Sequence, residues 1–320
     1  MDRRQFIAGA SAVACWPLAA SAQSKVYRIF WVSTESQPDP FVDGFREGLS
    51  ELNYLEGRDY TIALRYAPGN PAGLVDVVTE IESQNIDLVV SSGPAIRAME
   101  KVTQIPVLFA LSGDPIELGI VTSLARPERN FTGSTFMSRD VAAKRVDLLK
   151  EIFPNLRRLA VFSNALHPGE HSEWEVTQHA ARALDIEPIY VPFAGSGEFD
   201  KGIADLRATS ADAILVFPEA VTMVHRNEMA QTAVAHRLPS MFGWSEYCDA
   251  GGLLSYGANQ RATYVRLARY AERLLKGEKP ANLPVEQPTK FELVVNMRTA
   301  KLLGIEVAPS ILLRAERVID

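Results

Sequence analysis

Short apolar runs alternate with amphipathic segments along most of this chain. Residues 26–32 are rich in β-branched and aromatic side chains, which predicts a buried strand. Phe45, Leu49 and Leu52 then recur at helical spacing. The same pattern predicts further strands over 60–66, 86–90 and 107–111, and helices around 74–81 and 95–103. Strands that alternate with helices of this length form βαβ units and a parallel sheet.

The same order of elements repeats in the second half. Strands are predicted over 158–162, 187–192, 213–217 and 241–244, with helices over 173–184, up to about 208, and over 221–236. In each half an Asp (Asp87, Asp212) opens a strand, a helix follows, and an apolar-Pro step (Pro106, Pro239) precedes the next strand. Proline ends the preceding helix and is tolerated at a strand's first residue. The predicted fold class is α/β, with two Rossmann-like lobes of parallel sheet joined by a hinge near residues 134–140.

The N-terminus predicts export. Arg3 and Arg4 precede Gln5-Phe6-Ile7 and an apolar stretch to about Ala20, and Ala20-Ser21-Ala22 offers a small-x-small cleavage site. This order is that of a secretory signal, and the paired arginines favour the twin-arginine route. A membrane anchor is the alternative, but a spanning helix needs about 20 apolar residues. Lipidation at Cys15 is another alternative.

Composition narrows the possible partners. The chain has 47% hydrophobic residues, enough for two cores, and a formal net charge of -6 without any Lys/Arg run. This charge argues against nucleic acid and anionic lipid as partners. After the signal, no segment is apolar enough to span a membrane, and Cys248 is the single cysteine left. The expected compartment is the periplasm.

A ligand site is predicted where the strands end, because open α/β sheets bind ligands at the carboxyl ends of their strands. The candidate residues in these loops are Ser33, Thr34, Ser36, Ser91, Ser92, Gly93, Pro94, Ser112, Gly113, Asp114, Asn164, Pro218, Glu219 and Glu246. Hydroxyls and backbone N–H groups at helix N-termini suit a carboxylate, with Ser92 and Gly93 as the strongest candidates. Helix capping is the alternative for Ser91 and Ser92.

Aromatic residues near the predicted cleft are Trp31, Phe136, Trp244, Tyr247 and Tyr256. Stacking on a flat solute is one interpretation and core packing the other, which is favoured for Trp31. The expected ligand is an aromatic or other small apolar carboxylate, including amino acids. Glu219 or Glu246 would then pair with a ligand amine, whereas a solvated surface carboxylate is the alternative for each.

Enzyme signatures are weak. No Gly-x-Gly-x-x-Gly follows a strand, and no Walker A or Gly-x-Ser-x-Gly sequence occurs. His167 and His171 have a ligand-like spacing, but no Cys or second pair accompanies them. Cys248 has no identifiable His partner. We expect a protein that is not an enzyme and needs no metal or cofactor, with a Rossmann-like enzyme as the alternative.

The C-terminal region supplies a specific resemblance. Its motifs are Gly251-Gly252-Leu253-Leu254-Ser255-Tyr256-Gly257, the stretch from Leu283 to Asn296, and Ala300-Lys301-Leu302-Leu303-Gly304-Ile305. Asp114-Pro115 and Asn130-Phe131-Thr132-Gly133 add to them. The mature chain resembles the ABC-transporter substrate-binding proteins that include tryptophan and tyrosine uptake proteins.

The resemblance implies a type I periplasmic-binding-protein fold, hinge crossings between the lobes, and delivery of a small solute to an ABC permease in the inner membrane. The expected division is a signal over 1–22, an N-terminal lobe over 23–137 completed by about 258–288, and a C-terminal lobe over 138–257 completed by about 289–320. A sensory module that docks on a membrane receptor has the same fold and stays an alternative.

Overall fold

The computed structural model describes residues 25–34, 39–67, 73–102 and 104–320. The predicted signal over 1–22, with Cys15, and the candidate Ser36 lie outside the described residues.

The first sheet contains five parallel strands in the order β2-β1-β3-β4-β5. These strands are β1 (Tyr27–Ser33), β2 (Tyr60–Tyr66), β3 (Leu88–Ser92), β4 (Val107–Leu111) and β5 (Phe131–Thr135). Every residue of β3, β4 and β5 is buried, as expected for parallel strands that helices cover on both faces.

The second sheet contains seven strands in the order β12-β11-β10-β9-β8-β6-β7. They are β6 (Arg158–Asn164), β7 (Glu187–Phe193), β8 (Ala213–Val216), β9 (Ser240–Phe242), β10 (Leu254–Gly257), β11 (Glu292–Asn296) and β12 (Arg317–Ile319). The pairs among β6 to β10 are parallel, but β11 runs antiparallel to β10. The prediction of wholly parallel sheets is therefore wrong at one edge, where the C-terminal residues form two strands, β11 and β12, that run in the opposite direction.

Helices cover both sheets. They are α1 (Pro40–Glu51), α2 (Leu74–Ser83), α3 (Ile96–Met99), α4 (Ser138–Ile152), α5 (Glu170–Ala183), α6 (Phe199–Ala208), α7 (Ala220–Val224), α8 (Arg226–Ala235), α9 (Glu246–Asp249), α10 (Gln260–Leu275), α11 (Met297–Leu303) and α12 (Pro309–Leu312). Among the described residues, no helix is both long and apolar enough to cross a membrane.

Helix α10 follows the second sheet in sequence but packs against α1 of the first. The contact requires a residue without a side chain, since a Cβ on Gly48 would overlap the carbonyl oxygen of Val265. With α1 and α10, the first sheet forms what we call the N-terminal lobe. The second sheet and its helices form the C-terminal lobe.

The chain passes between the lobes at three places: from β5 to α4, from β10 to α10, and from Glu286, which bridges to Ser134, to β11. Met137, in the first passage, has a φ of 51°, a left-handed conformation that is rare for a residue with a side chain. One passage between the lobes thus holds a residue in a strained backbone conformation.

Several predicted boundaries are wrong. Strand β3 begins at Leu88, although the preceding Asp87 still pairs with Arg28: its backbone N–H donates to the Arg28 carbonyl, and its carboxylate, in place of its carbonyl, accepts the Arg28 N–H. The helix predicted over 95–103 has only four α-helical residues, after a 3₁₀ turn over Gly93–Ala95. The helix predicted over 221–236 is broken at His225, whose ring stacks on Phe199 with centroids 3.9 Å apart.

Candidate functional site

The carboxyl ends of the strands in the two lobes face each other across one cavity. The free space in it is small, with room for little more than one water molecule. The N-terminal lobe supplies Phe41, Ser92, Gly93, Ala110, Ser112, Phe136 and Tyr264, and the C-terminal lobe supplies His167, Glu219, Ala220 and Trp244. This is the position that open α/β sheets use for ligands. We call it the interlobe cavity.

Four aromatic rings form most of its apolar wall. Trp244 meets Phe41 and Phe136 edge-on, with centroids 5.8 and 5.3 Å apart. Phe41 in turn stacks on Tyr264 at 5.0 Å. All four side chains are buried, and only Trp244 comes from the C-terminal lobe. The rings therefore join the apolar cores of the two lobes, and a flat solute could enter only by separating Trp244 from its partners.

The first turn of α1 is fixed by a buried carboxylate. Asp39 accepts the backbone N–H groups of Phe41 and Val42, and it also accepts the indole N–H of Trp31 at 2.8 Å. Burial raises the pKa of Asp39, an effect that these hydrogen bonds oppose. Trp31 itself is fully buried, which confirms core packing for this ring. Asp39 thus positions Phe41 at the cavity wall.

Glu219 is the carboxylate of the interlobe cavity. Its two oxygens accept the backbone N–H groups of Val221 and Thr222 at 3.0 and 2.7 Å, and Oε2 also accepts the Asn164 amide at 3.2 Å. Only 3% of the residue is exposed, so the predicted alternative of a solvated surface carboxylate is wrong. Burial raises the pKa of Glu219. No Lys or Arg is among the described residues that line the cavity, so this charge faces only neutral groups there.

Ser92 faces Glu219 from the other lobe. Its hydroxyl is buried, and it caps neither the following 3₁₀ turn nor any other backbone group in the described chain. It lies near the Tyr264 hydroxyl without a well-formed hydrogen bond between them. The capping alternative is therefore wrong for Ser92. A buried hydroxyl that lacks a protein acceptor is costly unless a water or ligand pairs with it.

The lobes are in contact in this structure. Ser112 Oγ of the N-terminal lobe lies 2.8 Å from His167 Nε2 of the C-terminal lobe. Beside this pair, Gly113 and Gly169 approach so closely that a Cβ on Gly113 would lie 2.8 Å from Gly169 Cα. The observed state is a closed one.

Adding one methyl group at this seam should oppose closure. A Cβ on Gly169 would overlap Gly113 Cα, although the backbone φ of -91° at Gly169 suits alanine. Because overpacking costs about 1–3 kcal/mol and would act only in the closed state, we expect Gly169→Ala to weaken solute binding about 10- to 100-fold. Isothermal titration calorimetry measures this effect. Gly197→Ala is the matched control, since a Cβ there meets nothing within 4 Å, and equal affinities of the two variants would contradict the closed-state account.

A buried charge network lies behind the cavity in the C-terminal lobe. Arg145 on α4 binds Glu173 on α5 at 2.6 Å and donates to the Tyr256 carbonyl at 2.8 Å. Both side chains of the ion pair are at most 4% exposed. Burial raises the pKa of Glu173 to about 7, against the opposing pull of Arg145. The pair thus ties α4, α5 and β10 together under the site.

Of the predicted site residues, the structure brings six to the interlobe cavity: Ser92, Gly93, Ser112, Phe136, Glu219 and Trp244. Asn164 and Pro218 line a second, narrow cavity directly behind it, which is too small for a water molecule and shares His167 and Glu219. Gly113 lies at the closure seam.

Other predicted site residues lie close by without lining the cavity. Ser33 and Thr34 are buried at the end of β1, and Ser91 and Pro94 are buried on either side of Ser92 and Gly93. Asp114 caps the turn that follows β4 by accepting the Ile116 N–H at 2.8 Å. These residues support the loops that shape the site.

Three further candidates are not brought to the interlobe cavity. Tyr256 packs against Phe291, at 6.1 Å between ring centroids, in the core on the other face of the second sheet. Glu246 is the half-buried first residue of α9. Tyr247, the other aromatic candidate, stacks on Phe242 and donates its hydroxyl to Thr222, so it is a core residue.

Sequence reasoning missed Phe41, Tyr264 and His167 as lining residues. Asp39-Pro40 before Phe41 is a helix-start signal that could have placed this ring at a strand-to-helix junction. Nothing local marks Tyr264, because its position depends on α10 returning to the first sheet.

The alternative chemistries considered from sequence find little support. His171 lies on α5, exposed and away from His167, and no cluster among the described residues could hold a metal ion. Burial raises the pKa of Cys248 to about 12, which keeps it a protonated thiol rather than a nucleophile.

Comparison with known proteins agrees with this architecture. Residues 29–319 match the family model described as "ABC transporter substrate binding protein". A tyrosine-binding protein of Clostridioides difficile is 22% identical over 266 residues, which are 82% of this chain and 76% of that protein.

Two solved structures share the fold. One is an ABC domain in complex with L-Trp from Streptococcus pneumonia (TM-score 0.82, 23% identity, 92% of this chain and 100% of that chain). The other is a conserved domain protein from Vibrio cholerae (TM-score 0.81, 24% identity, with the same coverage). The fold is that of a type I periplasmic binding protein. Because the family model spans nearly the whole described chain, this protein belongs to the ABC transporter substrate-binding protein family.

Proposed function

We propose that this protein captures an α-amino acid with an aromatic side chain in the interlobe cavity and delivers it to an ABC permease. One observation carries the proposal: four aromatic rings, a buried carboxylate and two serine hydroxyls converge on one cavity between the lobes. The L-Trp complex of the pneumococcal relative and the name of the tyrosine-binding relative support the same ligand class.

The polar groups are distributed in a way that suits a zwitterion. Ser92 and Ser112, on the N-terminal lobe, would donate hydrogen bonds to the ligand carboxylate. Glu219, on the C-terminal lobe, would accept from the ligand ammonium. A ligand bound in this way contacts both lobes at once, so it favours the closed state over an open one.

The charge balance favours an amino acid over a plain carboxylic acid. Glu219 is buried and has no cationic partner among the described lining residues. A ligand ammonium would compensate this charge, whereas a ligand with only a carboxylate would bring a second negative charge into the same low-dielectric space.

The interlobe cavity can hold a solute only after the aromatic rings of the two lobes part. In this structure the rings touch across it, and the remaining space has room for little more than one water molecule. Parting the rings by a modest hinge opening would admit one flat side chain.

The remaining parts of the proposal concern location and partner. We propose that residues 1–22 direct export to the periplasm by the twin-arginine route and are then removed. Closure would bring the rims of both lobes into the arrangement that a permease recognises. A signal-site variant Arg3→Lys/Arg4→Lys that still reached the periplasm at the normal rate would contradict the export route.

Calorimetry with a defined panel tests the ligand class. Residues 23–320 are titrated with L-tryptophan, L-tyrosine, L-phenylalanine, 3-(indol-3-yl)propionate and D-arabinose. We expect the amino acids to bind most tightly. Binding of the sugar, with no amino acid bound, would overturn the proposal.

Removing the charge of Glu219 provides a sharper test. Glu219→Gln should weaken L-tryptophan binding at least about 30-fold, because one partner of a buried charge pair is lost. Affinity for 3-(indol-3-yl)propionate should stay the same or rise. Glu228→Gln is the matched control, since Glu228 is 42% exposed in an (i,i+3) contact with His225. If Glu219→Gln weakened the affinity for both ligands equally, Glu219 would maintain the fold of the site and would not bind the ligand ammonium.

A further inference from the structure

The loop that carries His167 is held rigidly by the C-terminal lobe. Asn164 Oδ1 accepts the backbone N–H groups of Leu166 and Gly195 at 3.1 and 3.0 Å. The carbonyl of Asn164 accepts the His167 N–H at 2.9 Å, and the Glu170 N–H returns to the His167 carbonyl at 3.1 Å. The imidazole is therefore presented to the other lobe by a fixed backbone.

The hydrogen bonds of the ring define its tautomer. His167 Nδ1 accepts the backbone N–H of Gly169 at 3.2 Å, so Nδ1 carries no proton. The proton of the neutral ring is then on Nε2, which lies 2.8 Å from Ser112 Oγ. His167 is the donor in this bond and Ser112 the acceptor.

This assignment has a consequence for Ser112. Its oxygen is occupied by the His167 N–H, and its own proton remains available for donation. Ser112 lies at the end of β4 and lines the interlobe cavity. The histidine of one lobe thus orients a hydroxyl of the other lobe as a hydrogen-bond donor toward the solute.

We infer that His167 is a positioning residue for solute binding: it joins the lobes only when they close, and it then sets the Ser112 hydroxyl as a donor to the solute. This inference rests on the proposed function for the identity of the solute. The contact between the lobes stands on the geometry of this chain alone.

The surroundings of the ring make the contact sensitive to pH. Glu170 and Glu173 on α5 and Glu219 before α7 line the same second cavity as His167, and Arg145 lies behind Glu173. Burial nevertheless lowers the pKa of His167 to about 4 from its ordinary value of 6.5. Protonation of the ring would put a hydrogen on Nδ1, which would then face the Gly169 N–H that it now accepts.

The sign of the pH effect follows from these values. In an open state, where water reaches the ring, His167 takes up a proton below about pH 6.5. Closure must then release that proton, so His167 favours closure at high pH and opposes it as the pH falls toward 4. Glu219 lines the cavity too, and burial raises its pKa, so without ligand it favours closure as the pH falls, whereas pairing with a ligand ammonium requires its ionised form. A variant of His167 that cannot titrate separates the two contributions.

The test uses three variants and titrates L-tryptophan at pH 7.5 and 5.5. We expect His167→Ala and Ser112→Ala each to lose about tenfold in affinity at pH 7.5, and the double variant to lose little more than either. His167→Gln, which retains an N–H donor, should recover part of the loss. Between these two pH values the affinity of the wild type should fall about tenfold more than that of His167→Gln.

A second measurement keeps the inference independent of the solute. Spin labels at Val75→Cys and Leu302→Cys, which are 51% and 71% exposed on the two lobes, report interlobe distance without any ligand, because the native Cys248 is buried. We expect a larger closed population in the wild type than in His167→Ala at pH 7.5.

The possible failures are distinguishable. Three results would each overturn the role of His167. They are the same distance distribution in the wild type and His167→Ala, additive losses of affinity in the double variant, and identical pH profiles for the wild type and His167→Gln. If no panel solute binds but the distributions differ as expected, the proposed ligand class fails and the role of His167 in closure holds.

Discussion

Replacing Trp244 with alanine is expected to weaken binding of L-tryptophan at least about 30-fold, since buried aromatic anchors of this kind each contribute about 2 kcal/mol or more to binding. Trp244 is the one aromatic wall that the C-terminal lobe supplies among the described lining residues. Its loss would remove both the stacking surface for the ligand and the edge-on contacts to Phe41 and Phe136 that join the lobes. Isothermal titration calorimetry measures the change directly.

Trp174 offers a matched control in the same lobe. It is half-buried on α5, where its ring packs on Tyr190 with centroids 4.8 Å apart. Trp174→Ala should leave the affinity within about twofold, since surface substitutions away from a binding site usually have small effects. Equal losses in the two variants would show that Trp244 acts through stability and not through contact with the solute.

Replacing Arg145 with methionine is expected to lower the free energy of unfolding by about 3–5 kcal/mol at pH 8, because it leaves the Glu173 carboxylate buried without its partner. The change also removes the hydrogen bond to the Tyr256 carbonyl, so three elements of the C-terminal lobe lose a common anchor. Urea unfolding followed by circular dichroism gives the difference.

The destabilisation should be smaller at pH 5. Burial already raises the pKa of Glu173 to about 7 with Arg145 in place, and removing the guanidinium raises it further. Protonation then neutralises the carboxyl group in the folded variant while the unfolded chain, with an ordinary pKa of 4.5, remains mostly ionised. Folding of the variant is therefore favoured as the pH falls from 8 to 5.

An exposed ion pair provides the control for this prediction. Arg314 and Glu151 are 42% and 37% exposed, so Arg314→Met should cost less than about 1 kcal/mol. An equal loss for Arg145→Met at both pH values would contradict the idea that an uncompensated charge causes the destabilisation.

The sequence predicted the architecture well because parallel strands leave a strong local signal. Strands β2 and β4 have the predicted bounds, and the repeated strand-helix-strand order correctly indicated two lobes. Strand β5 and helix α4 were not predicted. The five residues of β5, Phe-Thr-Gly-Ser-Thr, include a glycine and small polar side chains and lack an apolar run, although all of them are buried.

The sequence located site residues correctly only where a polar or aromatic side chain lies directly after a strand. Ser92, Ser112, Glu219 and Trp244 come within a few residues of a strand end, so the general rule for open sheets located them. Tyr264 was missed because it reaches the cavity through packing of α10 on α1, more than 200 residues earlier in the chain.

The difference between Glu219 and Glu246 was also beyond sequence reasoning. Both follow a strand of the C-terminal lobe at similar spacing. Glu219 turns inward because it caps α7 and accepts from Asn164, whereas Glu246 is the first residue of α9 and does not line the cavity. Such a choice depends on tertiary hydrogen bonds that no single segment encodes.

A crystal structure of residues 23–320 with L-tryptophan would test the central claim most directly. The account predicts one molecule between the lobes, with its indole among Trp244, Phe41 and Tyr264, its ammonium within hydrogen-bond distance of Glu219, and its carboxylate at Ser92 and Ser112. Electron density for the amino acid outside this cavity, or closed lobes with an empty cavity at saturating ligand, would contradict it.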